Sequence, residues 1–426
     1  MDRRRSAISF LSCFSATSTR VVTAACVLVM LAMMAGCGGN ATTVSSTPTP
    51  STTTNSSPPP GTTSDQFLYA ITTNATSTTG AIHEFHIDAN GALTPLAGSL
   101  VTLPGAAETI AADPLGRFVF VVAGASIVGF PIDANTGALG ASFSVPWTAA
   151  VSNARLVVHP SGKFLFVEGI PAPPFFPADF EITTYTIAAA PAGLQIGTSL
   201  KISPNFFGLA VNPGGTFLYA TTLQAGALGP EPGITQMSID AVTGALTPVG
   251  PVGRSADVVS AEELLVHPNG KFLYVGENSP SVSAFSLAAN GAATLTMRSG
   301  LSVCNVTPDF GGQLAISPRG DLLFQATSQP NCIVTYRVDQ ATGALTFVSS
   351  SPNLGIAPGQ DGAPGIVVDG SGAFVYAADA GTNTIVSFAI APNGALTPLA
   401  SSPFRVPSGQ LPSIPRYTMA VATVKH

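Results

Sequence analysis

An aromatic-rich apolar run recurs seven times along the chain, and this repeat restricts the possible folds more than any other feature. The runs are Phe67-Leu68-Tyr69-Ala70, Phe118-Val119-Phe120-Val121, Phe164-Leu165-Phe166-Val167, Phe217-Leu218-Tyr219-Ala220, Phe272-Leu273-Tyr274-Val275, Leu322-Leu323-Phe324-Gln325 and Phe374-Val375-Tyr376-Ala377. Successive runs start 51, 46, 53, 55, 50 and 52 residues apart. Four strands and their turns fit that period.

Each unit has the same internal order. An apolar run, strand A, leads into a Pro-x-Gly turn, as in Leu156-Val157-Val158-His159-Pro160-Ser161-Gly162. Pro at the second turn position and Gly at the fourth fit a type I turn followed by a left-handed residue. The aromatic run is strand B. Strand C alternates apolar and polar residues, as in Ile333-Val334-Thr335-Tyr336-Arg337-Val338. A second hairpin follows, as in Asp133-Ala134-Asn135-Thr136-Gly137, and strand D opens on Ala-Leu, as in Ala245-Leu246. The first strand B, at Phe67, has no strand A before it, and the last A-like run, Met419-Ala420-Val421, has no strand B after it. The C-terminus therefore supplies the missing strand A of the N-terminal unit. This is the ring closure of an all-β, seven-bladed β-propeller; an open solenoid would need capping repeats.

Composition agrees. Of 426 residues, 43 are Gly and 36 are Pro, while charged residues make up only 9%. Helical bundles and coiled coils need the reverse. No run of 18 apolar residues follows residue 36, which argues against a multi-span helical membrane protein. Net charge is −6, with no Lys/Arg cluster beyond the leader, so no nucleic-acid partner is expected.

Residues 1–36 read as an export signal. Arg3, Arg4, Arg5 and Arg20 are basic, and the apolar core runs from Val21 to Ala35. It ends in Met34-Ala35-Gly36-Cys37, which resembles a bacterial lipobox. That resemblance implies a lipidated Cys37 as the new N-terminus, and Gly38 after it points to the outer membrane of the bacterial cell envelope. Residues 37–64 form the tether: from Ala41 to Ser64, 21 of 24 residues are Ser, Thr, Pro or Gly. Such a segment cannot bury enough apolar surface to order itself, and could reach about 75 Å fully extended. Residues 65–426 are the propeller, expected to be a monomer. Cys304, between strands D and A, and Cys332, after a strand B, lie in one unit, so an exported protein should join them in a disulfide.

In a propeller the D-to-A and B-to-C connections share one face and the hairpins share the other. Here the hairpins are stereotyped and the other connections vary, which directs function to the variable face. His159 and His267 occupy a turn position held elsewhere by Asp113, Asn212, Ser317 and Asp369, and so read as turn formers. His83 and His86 are three apart on a strand and face opposite ways, a poor metal pair. No Cys/His array, no Gly-x-Ser-x-Gly elbow and no phosphate loop opening a helix is present, so neither a metal nor another cofactor is expected. Acids are better placed. Glu168, Glu277 and Asp379 end B strands at the variable face. Glu108, Arg155, Glu262, Glu263 and Gln313 start or precede A strands, and Arg416 precedes the last. Glu262 and Glu277 are the expected bases, with Glu108, Arg155, Glu168 and Arg416 expected to bind a small acid or ester.

His267-Pro268-Asn269-Gly270-Lys271-Phe272-Leu273-Tyr274-Val275-Gly276-Glu277-Asn278 and Gly394-Ala395-Leu396-Thr397-Pro398-Leu399 carry a family resemblance. Over residues 66–424 the chain resembles the bacterial lactonase family of seven-bladed propellers, which includes 6-phosphogluconolactonase-like proteins and is similar to fungal carboxymuconate cyclases. The resemblance implies metal-independent hydrolysis of a lactone. Relatives often carry Pro-Arg-His before a strand A; here only Pro415-Arg416-Tyr417 comes near. The other function class compatible with these features is a tethered, non-catalytic propeller that binds a protein or glycan.

Overall fold

The computed structural model describes residues 64–73, 78–147, 154–169, 180–189, 192–202, 206–222, 232–254, 261–277, 281–299, 311–328, 331–351, 365–379, 382–407 and 419–425. These form seven antiparallel sheets arranged in a ring, a seven-bladed propeller, with no helix among the described residues. Blade 1 runs from its inner strand outward as Met419–Lys425, Ser64–Thr73, Gly80–Ile87 and Leu93–Thr102. Blade 2 is Ala107–Ala112, Phe118–Ala123, Ser126–Pro131 and Phe143–Pro146. Blades 3 to 7 follow in chain order, with inner strands Arg155–Val158, Phe206–Val211, Ala261–Val266, Gly311–Ile316 and Ile366–Val368. Blade 7 has one addition. Phe404–Arg405 pairs with the same strand C as Leu396–Pro398, continuing the outer edge after a break.

The C-terminal strand closes the ring as the repeat count requires. Leu68 pairs with Val421 and Tyr69 with Ala420. Strands B are buried along their whole length in blades 2, 3 and 5, because a neighbouring blade covers each face. That explains why they read as continuous apolar runs. Outer strands such as Ala293–Arg298 alternate between half-buried and exposed. The core is divided among seven hydrophobic clusters, one in each seam between adjacent blades.

Side chains latch the seams at the hairpin face. Tyr69, Tyr219, Tyr274 and Tyr376 of the B strands donate to the carbonyls of Gly137, Gly291, Gly343 and Gly91 in the next blade, at 2.7, 2.9, 3.0 and 2.9 Å. Each acceptor is the left-handed glycine of a C–D hairpin, with φ between 72° and 80° at Gly137, Gly291, Gly343 and Gly91. The Pro-x-Gly turns do the same with histidine. Ser161 N–H donates to His159 Nδ1 at 3.1 Å, so the ring proton sits on Nε2, which donates to Gly215 O at 2.8 Å. His267 repeats this, with Asn269 N–H on Nδ1 at 3.0 Å and Gly320 O at 2.9 Å from Nε2. Both rings are therefore structural, as the turn reading expects. His83 is buried against Thr72 Oγ1 at 3.1 Å, while His86 packs on Phe67.

Candidate active site

Six inner strands begin at the end of the ring opposite the hairpins. The position just before Ile110, Leu156, Leu209, Leu264, Leu314 and Ile366 holds Thr109, Arg155, Gly208, Glu263, Gln313 and Gly365 in blades 2 to 7. Arg155, Glu263 and Gln313 are all buried there, an unusual density of polar groups in a chain so poor in charge. Glycine at Gly208 lets two inner strands approach: a Cβ would lie 3.1 Å from Leu264 N and 3.2 Å from Glu263 Cα.

The seam between blades 2 and 3 concentrates the chemistry. Glu108 Oε2 reaches across to accept the Ala154 N–H at 3.3 Å. The next residue, Arg155, turns its Nη1 back onto Ala154 O at 2.9 Å. Arg155 stands opposite Glu168 in the A–B ladder, so the two side chains share one face. Arg155 is 3% exposed and Glu168 1%. Burial holds the Glu108 carboxyl above the ordinary glutamate range, against the opposing pulls of the Ala154 N–H and the Arg155 charge. The only tryptophan, Trp147, walls this seam: its indole lies so close to Gly169 that a Cβ there would fall 2.2 Å from Cζ2.

Blades 5 and 6 contribute a second pair. Gln313 Nε2 donates to Glu263 Oε2 at 3.0 Å, both side chains being buried. Glu277 has different company. Its Oε2 accepts Ser281 Oγ at 3.0 Å, its Oε1 accepts Ser283 Oγ, and Arg298 Nε lies 3.1 Å from Oε1. Asp379 is bound by its own loop, accepting the Thr382 N–H at 3.2 Å and the Thr382 hydroxyl.

The structure thus brings together Glu108, Arg155 and Glu168, three of the expected binding residues. It sets the expected base Glu277 apart, in an ion pair inside blade 5. Glu262 lies in strand Ala261–Val266, with its side chain outside the described residues, and Arg416, Cys37 and Cys304 also fall outside them. Cys332 is buried on strand C of blade 6, its Sγ 3.3 Å from Thr327 Oγ1. Sequence reasoning placed Glu263 and Gln313 at strand starts without seeing that they meet. Alignment of the six inner strands on Ile110, Leu156, Leu209, Leu264, Leu314 and Ile366 is the signal that puts them side by side on neighbouring blades. No group of His, Cys, Asp and Glu among the described residues is arranged to hold a metal ion. A cavity of about 300 Å³ between blades 4 and 5 opens at the hairpin face, and its one charged lining residue is Lys271.

Residues 262–411 match the family described as lactonase, 7-bladed beta-propeller. No curated protein matches the sequence. Among solved structures, a candidate 6-phosphogluconolactonase from Bacteroides uniformis superposes with a TM-score of 0.66 at 19% identity, over 85% of this chain and 99% of the other. The periplasmic gluconolactonase of Pseudomonas aeruginosa superposes with a TM-score of 0.62 at 18% identity, over 85% of this chain and 100% of that one. At such identities the likeness shows the fold. The chain is a lactonase-like seven-bladed propeller, similar to 6-phosphogluconolactonases at low identity.

Proposed function

We propose that this lactonase-like propeller hydrolyses a lactone at the seam of blades 2 and 3, with Glu108 as general base and Arg155 as the charge that stabilises the oxyanion. The observation that carries this reading is the meeting of Glu108 with Arg155 at the mouth, where burial lifts the carboxyl toward the pH at which a base works best. Glu108 takes a proton from water as the water oxygen bonds to the ring carbonyl carbon. The carbonyl oxygen becomes an oxyanion in the field of Arg155. Collapse breaks the ring C–O bond, and the proton on Glu108 passes to the departing alkoxide. The product is a hydroxy acid. A lactone is a reactive ester, so one base and one cation suffice. The Glu263–Gln313 pair offers a second carboxylate at the same mouth.

The pH dependence of kcat/KM tests this. The base must be ionised, so the rate should climb with pH along a limb above the ordinary glutamate range. Arg155 pulls the Glu108 carboxyl down, so Arg155→Met should move that limb to higher pH as well as lower its plateau. Glu108→Gln should lower turnover by about 10²–10⁴-fold. A limb that stays in place in Arg155→Met would count against the assignment.

Export and anchoring belong to the same proposal, supported by the basic-apolar leader, the Ala35-Gly36-Cys37 junction and the Ser/Thr/Pro spacer. The propeller would act in the cell envelope, held by a lipid on Cys37. Cys37→Ser should release the chain from membrane fractions, and equal retention of the variant would refute the anchor.

A further inference from the structure

Charge at the mouth restricts what the site can accept. Strand starts and B-strand ends there hold Glu108, Glu168, Glu263, Glu277 and Asp379 among the described residues. Arg298 neutralises Glu277 at 3.1 Å. The remaining four carboxyls share the mouth with Arg155. That guanidinium does not present an open fork. Nη1 is spent on Ala154 O, Glu108 lies in its field, and Glu168 stands opposite it on the same face. Bidentate capture of a phosphate needs two free, parallel N–H groups and a positive surrounding. Among the described residues at this mouth carboxyls outnumber cations; Arg155 opposite Glu168 and the Gln313 Nε2 donor on Glu263 favour the ionised forms, and burial leaves those charges poorly screened.

We propose that this mouth selects an uncharged polyhydroxy lactone over its phosphorylated or carboxylated counterpart, with Glu168 and Glu263 as the residues that reject anions. The inference rests on the lactone-hydrolase reading and adds its substrate class. The same field acts on the product. Ring opening turns a neutral ligand into a carboxylate, which the mouth then repels, so hydrolysis itself drives release.

The test uses the full-length protein and two matched pairs of probes. One pair is glucono-1,5-lactone and its 6-phosphate, followed by acid release. The other is gluconolactam and its 6-phosphate, unhydrolysable analogues whose Kd is read by calorimetry. The neutral member of each pair should be preferred by at least roughly tenfold. Glu168→Gln or Glu263→Gln, each removing one charge at constant shape, should shrink that ratio by several-fold. A phosphorylated probe bound or turned over as well as the neutral one would overturn the proposal, as would failure of both lactams to bind. A ratio unchanged in both variants would overturn the role of these carboxylates. The two readings fail separately. Neutral-selective lactam binding without lactone turnover refutes hydrolysis and leaves the selectivity, whereas turnover that favours the phosphate does the opposite.

Discussion

Glu84 sits 3% exposed in the seam of blades 1 and 2, and its Oε2 accepts the Leu139 N–H of the next blade at 3.3 Å. Burial pushes its carboxyl up to about 7, with the Leu139 N–H pulling the other way. The fold thus binds this proton more tightly than the unfolded chain does. Its contribution is fully present below the ordinary glutamate value and is lost as pH rises through about 7. A displacement of that size corresponds to about 3 kcal/mol at alkaline pH. Glu84→Gln keeps an acceptor for Leu139 and removes the titration, so its melting temperature should exceed the parent's at pH 8.5 and match it near pH 5. Equal slopes of melting temperature against pH would remove Glu84 as the cause. At this scale the sequence was partly legible. His159 and His267 read correctly as turn formers because four other turns show what that position holds. The ion pair of Glu277, an expected base, was not legible because its partner, Arg298, lies on strand D. The C–D ladder of blade 5 shifts register between Ala284 and Phe285, and no repeat pattern announces such a bulge.

Strands B were the most legible elements, since burial on both faces forces seven long apolar runs with nothing else of that length around them. The Asp-x-x-Thr-Gly hairpins were equally readable. Asp133, Asp240 and Asp339 each accept the N–H groups two and three residues on, at 3.0 and 2.9, 3.0 and 2.7, and 2.9 and 2.8 Å. Their glycines then adopt φ near 72° at Gly137, 71° at Gly244 and 73° at Gly343. Inner strands were located by register but not by neighbour, because which side chains meet across a seam depends on the ring and not on one blade. The C-terminal strand is the element whose role depends wholly on that ring. It buries Met419, Ala420, Ala422 and Val424 against blades 1, 2 and 7, and without it Ser64–Thr73 would be a bare inner edge. Deleting residues 419–426 should cause aggregation or lower the melting temperature by many degrees. A truncated chain that melts where the parent does would show that closure contributes little.

For the whole molecule, the ring separates two faces with different work. The hairpin face carries repeated Tyr-to-Gly and His-to-Gly latches at the seams of blades 1–2, 3–4, 4–5, 5–6 and 7–1. The opposite face carries the buried polar groups Arg155, Glu168, Glu263 and Gln313. The proposed hydrolysis would put chemistry at the end of the strands opposite these latches, so substitutions at one end should leave the other intact. Lactone turnover measured side by side in variants of both faces tests this most directly. Glu108→Gln at the mouth should cut kcat by about 10²–10⁴-fold while the melting temperature holds. His159→Gln and His267→Gln at the hairpins should lower the melting temperature and leave kcat nearly unchanged. Turnover that survives Glu108→Gln yet disappears in either histidine variant, with that variant still folded, would contradict the account.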